Sequence, residues 1–326
     1  MLIGNVAISL NLLSVAVVAF AIVVLVLFIL APILQAKLSC FTFCYRKFLL
    51  WMLAASPWWV AIVCVGIFWS AQYNFEQTSW FKAFAHWHHI DVFSLGSWHG
   101  FALFMAAGFI SLLAVTKTYR ILKHTNTMHQ LGTLAGEQRK YSQDGHVIYV
   151  LSSDIPTVFT SGLLAPSIYI TTALQKQVNQ RELDIIIKHE AAHARAHDPF
   201  FKFFFLILCS FFPNKVSQLL MQQFILLTEQ MADSEVTRHH DHLDVAQTLV
   251  KVARLQHQLP SHCDGRQLSY FGNEQISQRV HELLSPLTKT PLRAWCFALL
   301  LLVITPLFTA SFVDSFHHLI ESFFNH

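Results

Sequence analysis

Four stretches of this chain are too apolar and too long to serve as ordinary core, and they decide its architecture before any motif is considered. Residues 6–34 are interrupted only by Ser9, Asn11, Ser14 and Pro32, which exceeds the ~20 apolar residues that cross a bilayer as a helix. Residues 49–68, residues 101–115 (extended upstream to Trp98) and residues 294–312 repeat the pattern. Only 13% of the 326 residues are charged, about half of what a soluble domain carries. The first stretch is not a signal peptide, because it lacks a basic leading region and a small-residue cleavage site and is too long. Four spans are therefore expected.

Lys and Arg placement sets an expected orientation. Lys37, Arg46 and Lys47 lie between the first two spans, Lys117, Arg120 and Lys123 follow the third, and Lys289 and Arg293 precede the fourth. Residues 71–97 hold one Lys and no Arg, and the tail after 312 holds neither. By the positive-inside rule both termini face outward and residues 117–293 face the cytosol of a multi-pass protein in the cell (inner) membrane. The lipid bilayer is the first implied partner. Cysteine usage gives no disulfide framework, and Cys40 and Cys44 lack the second pair that a structural metal site needs. A net charge of +3, with no basic cluster interleaved with aromatics, argues against direct nucleic-acid contact. His86, His88, His89 and His99 share the outward side with His317, His318 and His326, where histidines could bind a metal or respond to acid.

Within the cytosolic part, His189-Glu190-Ala191-Ala192-His193 carries the chemistry. The spacing of four stacks the two imidazoles on one helix face. Glu190, rotated by about 100°, reaches a water on a shared metal ion without ligating it. In a chain with 19 His the pentapeptide alone is not decisive, but its setting supports it. Asn179 and Glu182 form a capping-box pair, Leu183, Ile186 and Ile187 make an apolar stripe, and Pro199 is expected to end the helix. His197 cannot join His189 on one ion, since a continuous helix separates them by about 12 Å.

Glu229 and Asp233, four apart in a helix expected from about 216 to 238, share a face. Glu229 would complete a His-His-Glu zinc site with one position left for water, and Asp233 would accept the free N–H of a ligand histidine. Short strands are expected at 146–151, 156–160 and 167–171, after a turn at 143–145. An extended peptide can add to the edge of such a sheet beside the metal. Residues 199–212 form an apolar, Phe-rich helix too short to span, so residues 199–227 read as a membrane-associated segment or, equally, as buried core.

Several of these features resemble the BlaR/MecR-type membrane zinc metalloproteases. The resemblance rests on Pro156, Gly162-Leu163-Leu164-Ala165-Pro166, Ile168, Ile170, the 189–193 motif and Asp198-Pro199. Glu229 and Asp233 stand at the family's E-x-x-x-D element, and Arg279-Val280 with Leu283-Leu284 at its R-I-x-x-L element. It implies one Zn²⁺ held by His189, His193 and Glu229, with Glu190 as general base. The large outward penicillin-binding domain of drug-sensing members is missing from a chain ending at His326, so a direct antibiotic-sensing role is not expected.

The expected protein is thus mainly α. Residues 1–116 carry three spans, 117–293 an α+β gluzincin-type zinc metalloprotease domain, and 294–326 the fourth span and a short external tail. The expected activity is endoproteolysis of cytosolic or membrane-proximal proteins. The substrate could be a transcriptional repressor, cleaved by a signalling antirepressor. An HtpX-like quality-control protease and a non-catalytic transmembrane receptor are the alternatives. Arg279 or a cytosolic histidine is left to stabilise the transition state, and a homo-oligomer stays open.

Overall fold

The structure, a computed structural model, describes residues 1–38, 41–72, 91–134, 139–143, 145–257, 266–285 and 290–324. In chain order its elements are β1 (Leu2–Ile3), α1 (Asn5–Leu38), α2 (Phe43–Gln72), β2 (Val92–Phe93), α3 (Trp98–Leu134), β3 (Arg139–Gln143), β4 (His146–Leu151), β5 (Val158–Ser161), β6 (Ser167–Thr171), α4 (Thr172–Gln177), α5 (Gln180–Arg195), α6 (Asp198–Cys209), α7 (Asn214–Val236), α8 (His242–His257), α9 (Arg266–Leu284) and α10 (Leu292–Phe324).

Four helices are long and apolar enough to cross a membrane, over Asn5–Ile33, Phe43–Ser70, Trp98–Thr116 and Leu292–Ile320. Their number is as expected, but their ends are not. Arg46 and Lys47, placed from sequence between the first two spans, lie in the first turns of α2, and α3 continues to Leu134. Lys and Arg are good helix formers, so a change of solvent at the membrane face need not end the helix. At the opposite end of the bundle, His99 Nδ1 sits 3.0 Å from Ser14 Oγ and its ring centroid 5.3 Å from that of His317. His86, His88, His89, His326 and Cys40 lie outside the described residues.

The sheet runs β3-β4-β6-β5, with β4 parallel to β6 and the other pairs antiparallel. Strand β3 was not expected. Arg139-Lys140-Tyr141-Ser142-Gln143 has no apolar alternation, and pairing with β4 makes it a strand. Alternation on the inner strands sorts the faces. Ile148, Ile168 and Ile170 are buried beneath α5, against Ile186, Ile187 and Ala191, each buried isoleucine contributing about 1.5–3 kcal/mol. Tyr149, Tyr169 and Phe159 stack on the other face. Gly162, after β5, has φ +113, and a Cβ there would stand 2.5 Å from the Ala165 carbonyl oxygen. Only glycine fits that turn.

Helix α5 opens with the expected capping box between Asn179 and Glu182. It does not run on to Pro199. It ends at Arg195, and His197 takes a left-handed conformation (φ 52°, ψ 37°) before α6 starts at Asp198 with Pro199 in its first turn. Proline stops a helix but is also favoured at a helix start, and here it starts one. Helix α6 then follows α2: Phe201, Phe204 and Phe205 surround Trp51, and Phe211, just beyond α6, meets Trp58 and Phe20. After Pro213, α7 returns antiparallel to α6, passing Trp51 at Phe224.

Candidate metal centre

Helices α5 and α7 place three donor side chains around one point. His189 and His193 come from successive turns of α5 and Glu229 from α7, and their ligating atoms all lie within 4.8 Å of one another. His189 Nε2 is 3.2 Å from His193 Nε2, and each is 3.4 Å from a different Glu229 oxygen. Ligands held tetrahedrally at 2.0–2.1 Å from a zinc ion are separated by about 3.3 Å. Two imidazoles and a carboxylate at this spacing fit such an ion without rearrangement.

The outer nitrogen of each histidine is held by a carboxylate. Asp233 Oδ1 lies 3.0 Å from His189 Nδ1, and Asp198 Oδ2 lies 2.6 Å from His193 Nδ1. Each ring is thereby turned to offer Nε2 inward, the arrangement that fixes the tautomer of a metal-ligating histidine. The left-handed turn at His197 brings Asp198 back onto His193. Sequence reading missed this role, although Asp198-Pro199 was part of the matching motif.

Charges are tightly coupled here. Burial alone would lower the His189 pKa, but hydrogen bonds with Asp233 and Glu229 outweigh it and hold it at about 10. Burial is likewise outweighed at His193, whose pKa Asp198 and Glu229 raise. For Glu229 burial works upward, yet the two histidines keep its pKa well below the usual carboxylate range. Asp233 is pulled to about 2 against the effect of burial, chiefly by the Arg279 charge.

A family match agrees with this geometry. Residues 10–283 match the profile of the family described as BlaR1 peptidase M56. The chain belongs to that family. It is also similar to the proteins named "Methicillin resistance mecR1 protein" of Staphylococcus aureus and Staphylococcus epidermidis, each 25% identical over 142 residues. That match covers 41% of this chain and 24% of each relative, so the chain spans well under two thirds of their length. As a member of the M56 peptidase family with four helices long and apolar enough to cross a membrane, the chain is a multi-pass membrane protein.

In this M56 peptidase, Glu190 is 8% exposed and is not one of the three grouped donors. Thr160 on edge strand β5 donates its hydroxyl hydrogen at Glu190, with Oγ1 2.7 Å from Oε2 and 3.0 Å from the backbone carbonyl. Arg279 of α9 makes a two-point contact with Asp233, Nε and Nη2 each 2.8 Å from a carboxylate oxygen, and its Nη1 lies 3.3 Å from Glu229. Lys202 of α6 reaches the other Glu229 oxygen at 3.2 Å. Neither Thr160 nor Lys202 was singled out from sequence, and no local pattern marks them. Their roles arise only when β5 and α6 are folded onto α5 and α7. A cavity of about 430 Å³ opens beside the donors, with apolar walls including Val158, Ile185, Leu249, Val252 and Ile276.

Proposed function

We propose that this protein is a zinc endopeptidase working at the inner face of the cell membrane, with Glu190 as general base. The observation that carries this reading is the 3.2–3.4 Å spacing of the His189, His193 and Glu229 donor atoms. When bound, zinc supplies Lewis-acid chemistry, polarising a peptide carbonyl and making water acidic enough to deprotonate near neutral pH. Glu190 Oε2 takes that proton and returns it to the departing nitrogen. Thr160 holds the carboxylate in place. An extended substrate adds to β5, the outer strand of the sheet, which brings its backbone past Glu190. Because Asp233 and Glu229 already engage its guanidinium, we read Arg279 as holding the ligand helix. Lys202, held by a single contact to Glu229 where Arg279 makes three contacts to Asp233 and Glu229, is the cation we assign to the developing oxyanion.

The charge asymmetry supports outward termini and a cytosolic domain at 117–293. The contact of α6 and α7 with Trp51, and of Phe211 between them with Trp58, supports a membrane-associated segment at 199–227, so the metal lies at the bilayer surface. The substrate is then a cytosolic or membrane-proximal protein, with a transcriptional repressor as the reading by family analogy. The test uses the full-length protein in lipid nanodiscs, measuring bound zinc and cleavage of candidate peptides. Wild type should hold one zinc and cleave. Glu190→Gln should hold one zinc and not cleave, and undiminished cleavage by it would refute the assigned base.

A further inference from the structure

Arg46 and Lys47 are neighbours in sequence, but the fold gives them different surroundings. Lys47 lies over the Phe201 ring, 5.8 Å from its centroid, and partly exposed, so it can serve as an interfacial charge. Arg46 is 1% exposed. Its Nη1 lies 2.7 Å from Oε1 of Gln230, the residue after the ligand Glu229. Glu282 of α9 is the opposite charge nearby, and Arg46 Nε and Nη2 have no hydrogen-bond partner among the described residues. A buried guanidinium with two unfilled donors is costly, and a charge needed only for topology would sit beside Lys47 in the headgroups.

What the contact secures is the position of α7. The Gln230 amide also reaches the Gln278 carbonyl at 3.4 Å, one residue before Arg279, which grips Asp233 and Glu229. The same end of α2 holds the start of α10: Thr42 N–H donates to the Thr290 hydroxyl at 3.1 Å, and Tyr45 Oη donates to the Ala294 carbonyl at 2.8 Å. Membrane helices α2 and α10 thus meet at the start of α2, where the Arg46 guanidinium reaches α7 through Gln230 and faces Glu282 of α9. A slip of α7 by one residue moves Glu229 by ~1.5 Å, well beyond the ~0.2 Å tolerance of a metal–ligand distance.

We propose that Arg46 is a positioning residue for the metal centre: through Gln230 it sets where α7 holds Glu229 against His189 and His193, and so ties metal affinity and turnover to the seating of membrane helix α2. This rests on the zinc-peptidase reading above. The test uses full-length wild type, Arg46→Lys, Arg46→Met, Gln230→Met and the Arg46→Met/Gln230→Met double variant in nanodiscs. Zinc affinity is read by chelator competition, kcat and KM on a cleaved peptide, and the unfolding midpoint on metal-free protein. Arg46→Lys keeps the charge but not the forked reach, and should fold normally while losing about 10- to 100-fold in zinc affinity, the usual cost of disturbing a ligand's support. Its kcat should fall with KM little changed. The double variant removes both polar partners, so its midpoint should recover relative to the single variants while its zinc affinity stays low. Wild-type affinity in Arg46→Lys, or recovery of affinity together with midpoint in the double variant, would overturn the proposal. A wild-type protein that binds no zinc would overturn the functional reading as well.

Discussion

Thr160 and Glu190 meet at 2.7 Å, hydroxyl to carboxylate, and this contact joins the edge strand to the motif helix at the proposed base. A hydrogen bond to a charged group contributes about 1.5–3 kcal/mol. Thr160→Val, which keeps the shape and removes the donor, is expected to lower kcat by about 10- to 100-fold with zinc content unchanged. Thr160→Ser should retain most of the rate. Equal kcat for Val and Thr in steady-state peptide cleavage would show that β5 does not support the base.

The 2.6 Å contact between His193 Nδ1 and Asp198 Oδ2 makes a second expectation. Asp198→Asn can still lie beside the ring, but it no longer supplies the charge that favours an N–H at Nδ1 and a lone pair at Nε2. Zinc affinity should drop about 10- to 100-fold, as it should for Asp233→Asn at His189. Unchanged competition against a chelator in either variant would remove that carboxylate from the supporting set.

These two contacts also show where sequence reading stops. The spans, the capped motif helix and the Glu229/Asp233 pair were legible because each depends on spacing within one element. His189 and His193 share a face whatever surrounds them. Pro199 was misjudged because the residues that end one helix are the residues that begin another, and the left-handed turn at His197 leaves no local mark. Strand β3 has the composition of a solvated loop and becomes a strand through β4. Thr160, Lys202 and Arg46 are ordinary residues of their own elements, and their roles come from long-range packing.

A third expectation concerns the metal-free protein and pH. His189 has a folded-state pKa of about 10, above an unfolded value near 6.5, so its pairing stabilises the fold fully below about 6.5. That contribution is lost as pH rises through about 10. Asp233, held at about 2, works in the other direction: its contribution is present above about 4 and lost as pH falls through 2. Chelator-treated protein should therefore be most stable between roughly pH 4 and 6.5 as far as these two groups decide it. Urea midpoints that rise steadily from pH 6.5 to 10 would contradict the paired histidine.

The last expectation is the depth of α6. Trp58 lies about 15 residues into α2, ~22 Å along its axis, and the centroid of its ring is 4.9 Å from that of Phe211. Phe211 also meets Phe20, well inside the candidate span Asn5–Ile33. Helix α6 therefore runs beside the candidate spans, and its exposed side chains include Phe203, Phe204 and Ile207, whose exposure to lipid costs nothing. The returning leg differs, since Lys215 and Gln218 near its start are exposed, and a lysine at depth needs its long side chain to reach water. Spin labels at Phe204 and Ile207 of otherwise cysteine-free, full-length protein in liposomes should show oxygen contact exceeding that of a water-soluble nickel relaxant. A label at Phe308 of α10 provides the membrane reference and one at Leu164, in the turn after β5, the aqueous reference. Labels at Phe204 and Ile207 matching Leu164 would place α6 in water and move the metal centre away from the bilayer surface.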